Sequence, residues 1–224
     1  GTVSGDGTAG GVVGSTGNGG TVERSYATGA VSGGDRVGGL IGSLGLGGVT
    51  NSYATNSVKG EDGVGGLVGY IYTNAAYDFT KLYATGPVNG TENVGGLIGR
   101  DESDEGFEMT DSYWDVAASG QAESAGGTGL GSLDDEPPAE EMTGEDATES
   151  MDGFDFADTW ETTSSYPILA WQDPSPSISD YADESGQVTT DGLRDAVDDW
   201  RADDIDTELL REVVDAWRSG NGIV

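Results

Sequence analysis

The chain has 224 residues, 41 of them acidic and 9 basic, so its formal net charge is −32; this length suits one sizeable domain and a smaller one. It contains no cysteine and no histidine, which excludes disulfides, thiolate metal sites and histidine-based catalysis. Its few lysines and arginines are scattered, which excludes the clustered bases of a nucleic-acid-binding surface.

The acidic excess indicates a halophilic source. A large net charge destabilises a compact chain by self-repulsion, and roughly 1 M salt shortens the Debye length to about 3 Å, which screens that repulsion. The charge is uneven, with 7 acids and 5 bases in residues 1–100, 22 acids and no base in 101–180, and 12 acids and 4 bases in 181–224. We therefore expect three segments and unfolding on dilution into low salt. The alternative is an ordinary acidic surface protein with acidic loops.

The sequence contains no long apolar run and no signal peptide. Every apolar run falls short of the ~20 residues of a membrane span, so we expect none in this chain. Because the chain opens abruptly, we expect that a leader or a longer N-terminal part has been removed.

A phrase repeats along the first half of the chain. The tyrosines of the YAT and SYWD phrases are Tyr26, Tyr53, Tyr83 and Tyr113, at steps of 27, 30 and 30 residues. A glycine phrase of the type GGLIG occurs at 10–14, 38–42, 65–69 and 95–99, at steps of 28, 27 and 30. Repeats at a nearly fixed period predict stacked structural units.

Each repeat predicts one coil of a right-handed parallel β-solenoid, with about four coils over residues 1–115. The apolar runs are short, β-branched or aromatic, and bounded by glycine, asparagine and serine, which is typical of strands and turns. Each coil pairs with its neighbours, so like residues should stack in columns. The expected columns are Val12, Leu40, Leu67 and Leu97; Val3, Val31, Val58 and Val88; and the four tyrosines.

The third coil departs from the pattern with YIYTNAAYDFTK. Its aromatic residues Tyr70, Tyr72, Tyr77 and Phe79 predict either a sticky outer patch or a bulged loop that packs its own rings.

The phrases VGGLVG and NSYAT resemble the GLUG motif of large secreted bacterial and archaeal surface proteins and adhesins. The resemblance covers residues 1 to about 115, and the SYWDVAASGQAESAGGTGL stretch from Ser112 is similar to the usual sequel. It implies an exported β-solenoid. It implies no established enzymatic activity and no catalytic residues.

Residues 116–172 predict an acidic loop followed by a cap. The stretch 116–152 is acidic and low in large apolar residues, which favours a long surface loop. The apolar residues that follow should cover the exposed end of the last coil. They are Phe154, Phe156, Trp160, Tyr166, Ile168, Leu169 and Trp171. Residues 173–179 are a predicted linker.

Residues 180–224 predict a helical hairpin. GLRDAVDDWR from Gly192 aligns with LLREVVDAWR from Leu209 at a shift of 17 residues. Hydrophobic staples are expected at Val188 and Ile205. The expected packing faces are Leu193, Val197 and Trp200 on one helix, and Leu210, Val214 and Trp217 on the other.

This hairpin resembles a degenerate dockerin-type module, a family with two calcium loops, each followed by a helix. The resemblance implies a weak calcium site at Asp183, Ser185 and Asp191. Tyr181 stands where an aspartate is expected. The alternative is a small packed hairpin without metal, and no other cofactor is expected.

The sequence favours a secreted, non-enzymatic cell-surface protein with a structural or adhesive role. The alternative is a carbohydrate-binding or polysaccharide-cleaving β-helix protein, since paired carboxylates such as Asp101/Glu102 and Asp104/Glu105 are abundant. A groove in which carboxylates converge on an arginine or lysine would favour that alternative, and flat side-chain ladders would favour the structural role.

The chain begins partway through a coil, which predicts an unpaired assembly edge at Val3, Val12 and Val13. Head-to-tail contacts through the solenoid ends would give an oligomer or filament. The alternative is that the start of the chain partway through a coil is an artefact. A surface glycan or protein is a further expected partner. Asn89 begins a glycosylation sequon, and an ordinary turn asparagine is equally compatible with that sequence.

Overall fold

The structure, a computed structural model, describes residues 1–72, 78–103, 109–172, 178–183, 186–201 and 207–220. The chain forms two compact units, Gly1–Ala170 and Trp171–Val224. The first contains the solenoid. The predicted linker 173–179 lies largely outside the described residues.

Four coils of short parallel strands build the solenoid. The first coil contains β1 (Val3–Ser4), β2 (Ala9–Gly10), β3 (Val13–Asn18), β4 (Val22–Glu23) and β5 (Tyr26–Ala27). The second contains β6 (Val31–Ser32), β7 (Asp35–Gly38), β8 (Ile41–Leu46) and β9 (Val49–Ala54). The third contains β10 (Val58–Lys59), β11 (Asp62–Gly65), β12 (Val68–Ile71) and β13 (Phe79–Ala84). The fourth contains β14 (Val88–Asn89), β15 (Glu92–Gly95), β16 (Ile98–Asp101) and β17 (Met109–Asp115).

Equivalent strands of successive coils form four parallel sheets. Sheet A has the order β1-β6-β10-β14, sheet B β2-β7-β11-β15, and sheet C β3-β8-β12-β16. Sheet D contains β4 and β5, both on β9, then β13 and β17. The predicted solenoid is confirmed, and so are its columns. Val3, Val31, Val58 and Val88 are in register, as are the four tyrosines, and backbone bonds join Val12, Leu40, Leu67 and Leu97.

The interior contains two apolar clusters, and the glycine pairs of the repeated phrase lie between them. The larger surrounds fully buried leucines such as Leu40 and Leu67, and the smaller contains the valines of sheets A and B. A Cβ atom at Gly38 would overlap the carbonyl oxygen of Ile41, and one at Gly39 would overlap the carbonyl oxygen of Gly66 in the next coil. Close backbone approach therefore explains the repeated glycine phrase.

Two rows of left-handed residues, which the sequence analysis missed, lie within or beside the strands of successive coils. One row contains Arg24 (φ 46°), Asn51 (φ 46°), Lys81 (φ 60°) and Asp111 (φ 49°). The other contains Arg36 (φ 62°), Gly63 (φ 63°) and Asn93 (φ 48°). Glycine, asparagine and aspartate tolerate this left-handed conformation. An arginine or a lysine in the sequence therefore does not predict it.

Residues 116–130 close the end of the last coil, which corrects the prediction that 116–152 is mainly a surface loop. Helix α1 (Val116–Ser119) follows β17, and strand β18 (Thr128–Leu130) pairs with β17. The stretch between them lies along the other sheets as a shortened fifth turn. Its contacts are Gln121 Nε2 to Val88 O (3.0 Å), Gly96 N to Glu123 O (3.0 Å) and Ala125 N to Ile98 O (3.1 Å).

Residues 139–170, named here the flank segment, cover the outer face of sheet D. The prediction that they cap the last coil is wrong, because buried Met142, Phe154, Trp160 and Leu169 pack against the tyrosine column instead. Trp160 Nε1 donates to Asn51 Oδ1 over 3.3 Å. The elements are 3₁₀ turns at Glu140–Met142 and Ala170–Gln172, α2 (Asp146–Ser150), β19 (Trp160–Glu161) and β20 (Ile168–Leu169). Trp171, predicted in the cap, is 61% exposed and belongs to the second unit.

The second unit contains the predicted helical hairpin. A 3₁₀ turn (Ile178–Tyr181) precedes α3 (Thr190–Arg201) and α4 (Thr207–Ser219). Val188 packs with Leu193 as the staple predicts, and Ile205 lies outside the described residues. The core is centred on Tyr181, Val188, Ala196 and Val213. Trp200 and Trp217 are each 40% exposed, so the expectation that tryptophan faces hold the hairpin together is wrong.

Candidate functional site

The two ends of the solenoid differ in how their strand edges are occupied. Val3, Val12 and Val13 lie together on the first coil, as predicted, and each donates its backbone N–H to the second coil. Val12 is 50% exposed and Val3 37%. In the part of the chain that the structure describes, β1, β2, β3 and β4 are outermost strands at one end, and β14, β15, β16 and β18 are outermost at the other, where the shortened fifth turn bonds to the last coil. Outermost strands of this kind present backbone groups to which a further strand can pair.

The outer face of sheet C carries an arginine–tyrosine cluster. Tyr70 lies in register between Ser43 of the second coil and Arg100 of the fourth. The guanidinium carbons of Arg36 and Arg100 lie 4.6 and 5.8 Å from the Tyr70 ring centroid, within cation–π range. Tyr72 stacks beside Tyr70, with ring centroids 5.7 Å apart. Stacking in register thus brings together two cations that are 64 residues apart in sequence.

Two carboxylates converge on Arg100. Its Nη1 lies 3.1 Å from Asp62 Oδ2, and its Nη2 contacts Glu102. Tyr70 Oη donates a hydrogen bond to Glu102, and Asn93 Nδ2 donates one to Asp62. Tyr70 is buried, whereas the side chains of Arg100, Asp62 and Glu102 are partly exposed. The carboxylates are thus held by neighbouring donors.

The protonation states in this cluster fit a binding surface better than acid–base chemistry. The hydrogen bond from Tyr70, and then the charge of Arg100, lower the pKa of Glu102. The hydrogen bond to Glu102, and then burial, raise the pKa of Tyr70. Near neutral pH the carboxylate therefore stays ionised and the phenol stays protonated. A general acid or base would have a pKa near the working pH.

The predicted aromatic patch is only partly present. Tyr70 and Tyr72 lie on the outer face, but Phe79 is 1% exposed in the interior, so its assignment to the patch is wrong. Tyr77 lies outside the described residues. Sequence reasoning missed Arg36 and Arg100, although the 30-residue step from Tyr70 places Arg100 in the same column as Tyr70.

The predicted calcium ligands have other contacts in the structure. Asp183 Oδ1 accepts a hydrogen bond from the backbone of Gln187 (3.2 Å), and Asp191 pairs with Arg194 at 2.7 Å. Ser185 lies outside the described residues. Within the described residues, no three acidic side chains group as a metal site would require. Tyr181 is 5% exposed in the core of this unit.

Asn89 is exposed on β14, beside the buried Val88. Glycosylation there remains a prediction. Of the paired acids, Asp101 and Glu102 lie on or next to β16, and Asp104 and Glu105 lie outside the described residues. No helix in the described ranges has the length and apolar character needed to cross a membrane.

These features define the chain as a mainly β protein with a four-coil parallel β-solenoid and C-terminal helices. Over 65 residues, 26% of the chain, it is 42% identical to halomucin of Haloquadratum walsbyi, and the matched stretch is 1% of that protein's length. No family model and no solved structure matches the chain. The resemblances to GLUG repeats and to dockerins therefore remain predictions.

Proposed function

We propose that this chain is part of an extracellular surface protein of a halophilic archaeon, in which the solenoid has a structural or adhesive role. The observation that carries the proposal is the in-register stacking of repeats, which builds four parallel sheets. The similarity to halomucin of a haloarchaeon supports the source. The net charge of −32 supports a high-salt environment.

The outermost strands of the first coil support assembly by strand addition. Complementary strands, from another chain or from a longer form of this one, would pair at Val3 in sheet A and at Val12 and Val13 in and beside sheet C. Head-to-tail stacking into a filament would have to accommodate the shortened fifth turn, because that turn bonds to the last coil. Strand addition at the first coil is therefore the form of assembly that we propose.

Labelling of intact source cells tests the surface location. Antibodies raised against the chain should bind without permeabilisation, and brief protease treatment of whole cells should remove the signal. An antibody to a ribosomal protein controls for cell integrity. Labelling that requires permeabilised cells would contradict the proposal.

A polysaccharide-cleaving enzyme is the second candidate, favoured by the convergence of Asp62 and Glu102 on Arg100. It predicts release of new chain ends from an acidic polysaccharide in molar salt, and loss of that activity in Glu102→Gln. A polysaccharide that keeps its length during long incubation would leave the structural role as the better proposal.

A further inference from the structure

Arg36 differs from the other arginine of its cluster in forming no close ion pair within the described residues, although its charge helps to lower the pKa of Glu102. Arg100 is neutralised by Asp62 and Glu102. In the described part of the chain, the Arg36 side chain contacts the Tyr70 ring and forms no ion pair or side-chain hydrogen bond. It is exposed, so the N–H donors of its guanidinium point to an external acceptor.

Arg36 occupies a left-handed backbone position that suits other residue types better. The equivalent positions in the next two coils are Gly63 and Asn93, which suit the left-handed conformation. An arginine there costs roughly 1–2 kcal/mol in backbone strain. Strain of this kind is common at binding sites, where the side chain compensates for it.

An exposed aromatic ring and a buried hydroxyl lie on the same face. Tyr72 is 40% exposed, and its hydroxyl lies against Gly45, so the ring is held along sheet C. Ser43, in register with Tyr70, is 2% exposed, and its Oγ has no hydrogen-bond partner among the described residues. This face therefore offers a ligand a charged donor and a flat ring.

We propose that the outer face of sheet C binds a uronic-acid sugar through Arg36 and Tyr72. The planar guanidinium pairs with a carboxylate in bidentate fashion. The tyrosine ring packs against the apolar face of a pyranose. The ring contact favours an acidic sugar over an acidic peptide, which would use the arginine alone. The inference deepens the proposed function, since it names a glycan as the adhesive partner.

Binding to the full chain in molar NaCl tests this site. The probe is a glucuronate-containing tetrasaccharide. Its controls are the same tetrasaccharide with the carboxylates reduced to alcohols, and a tetraglutamate peptide. Calorimetry or ligand-observed NMR should detect the acidic tetrasaccharide, with binding of both controls weaker by about tenfold or more. Equal binding of the reduced sugar or of the peptide would overturn the proposal, as would no binding of the acidic tetrasaccharide.

Matched variants locate the site. Arg36→Gln and Tyr72→Ala should each weaken binding by about tenfold, since each removes one of the two contacts. Arg24→Gln is the control, because Arg24 is also an exposed arginine with positive φ but lies at sheet D. Unfolding midpoints confirm that each variant is folded. Unchanged binding in Arg36→Gln, or equal loss in Arg24→Gln, would overturn the assignment. Either result leaves the surface-labelling experiment unaffected, so the two proposals fail separately.

Discussion

The rings of Tyr53 and Tyr83 lie face to face across neighbouring coils, with centroids 4.7 Å apart and planes 7° apart. Trp160 of the flank segment contacts both, at 6.0 and 5.7 Å. Tyr83 is fully buried, and its hydroxyl donates to the carbonyl oxygen of Pro167. The stacked tyrosines thus serve two interfaces, one between coils and one between the solenoid and the flank segment.

Tyr83→Ala should therefore lower the free energy of unfolding of the solenoid by roughly 3–5 kcal/mol, the range for truncating a large buried aromatic side chain. Tyr26→Ala removes the same atoms from the 37%-exposed end of the column and should cost about 1 kcal/mol or less. Urea unfolding in molar salt measures both. Equal losses would show that the flank segment adds nothing to the column.

Lys81→Asn should stabilise the protein. Lys81 has φ 60°, a conformation that costs most residues roughly 1–2 kcal/mol but that asparagine tolerates. We expect a gain of roughly 0.5–1 kcal/mol. Lys59→Asn removes the same charge from the extended strand β10 and should give no gain. A gain of the same size in both variants would assign the effect to charge.

Gly39→Ala should be strongly destabilising, because the added Cβ would overlap the backbone of Gly66 in the next coil. The expected loss is about 3 kcal/mol, the upper part of the range for overpacking. Gly14→Ala is the control, since a Cβ there meets nothing within 4 Å, and it should stay within about 0.5 kcal/mol of the parent. A mild Gly39→Ala would show that neighbouring coils can separate.

Stability should fall as the pH rises above about 10, the ordinary pKa of tyrosine. Burial raises the pKa of Tyr83, and burial together with the hydrogen bond to Asp115 raises the pKa of Tyr166. The unfolded chain then loses these protons before the folded chain does, so alkali favours unfolding. Tyr166→Phe should flatten the slope of unfolding free energy against pH above 10. An unchanged slope would contradict this account.

Removing one charge from the acidic ladder of sheet B should reduce the salt requirement. Asp62 is in register with Asp35 on one side and Glu92 on the other, and like charges directly opposite destabilise a sheet. Glu92→Gln should therefore remain folded at lower NaCl than the parent, as followed by circular dichroism. Asp6→Asn removes an equal charge from an exposed bend outside the ladder. Identical salt midpoints for the two variants would indicate that only net charge matters.

The solenoid could be predicted from the sequence because its repeated phrases recur at a nearly fixed period. One repeated phrase specifies both the strands and their register, so the columns of Leu40 and Tyr53 could be listed from spacing. The flank segment was not predictable, because its contacts, such as Trp160 with Asn51, span 109 residues without any period. The Arg36 site was hidden for a related reason. Its members are ordinary residue types, and only the fold places them around Tyr70.

The flank segment also matches a fixed number of coils of the solenoid. It contacts one tyrosine in each of three successive coils, at Tyr53, Tyr83 and Tyr113. A coil inserted between any two of these would move the tyrosines by one strand spacing, about 4.8 Å, and would break that match. A coil added before Asn51 would leave it intact. The number of coils under the flank segment therefore stays at three, whatever the number of coils before them.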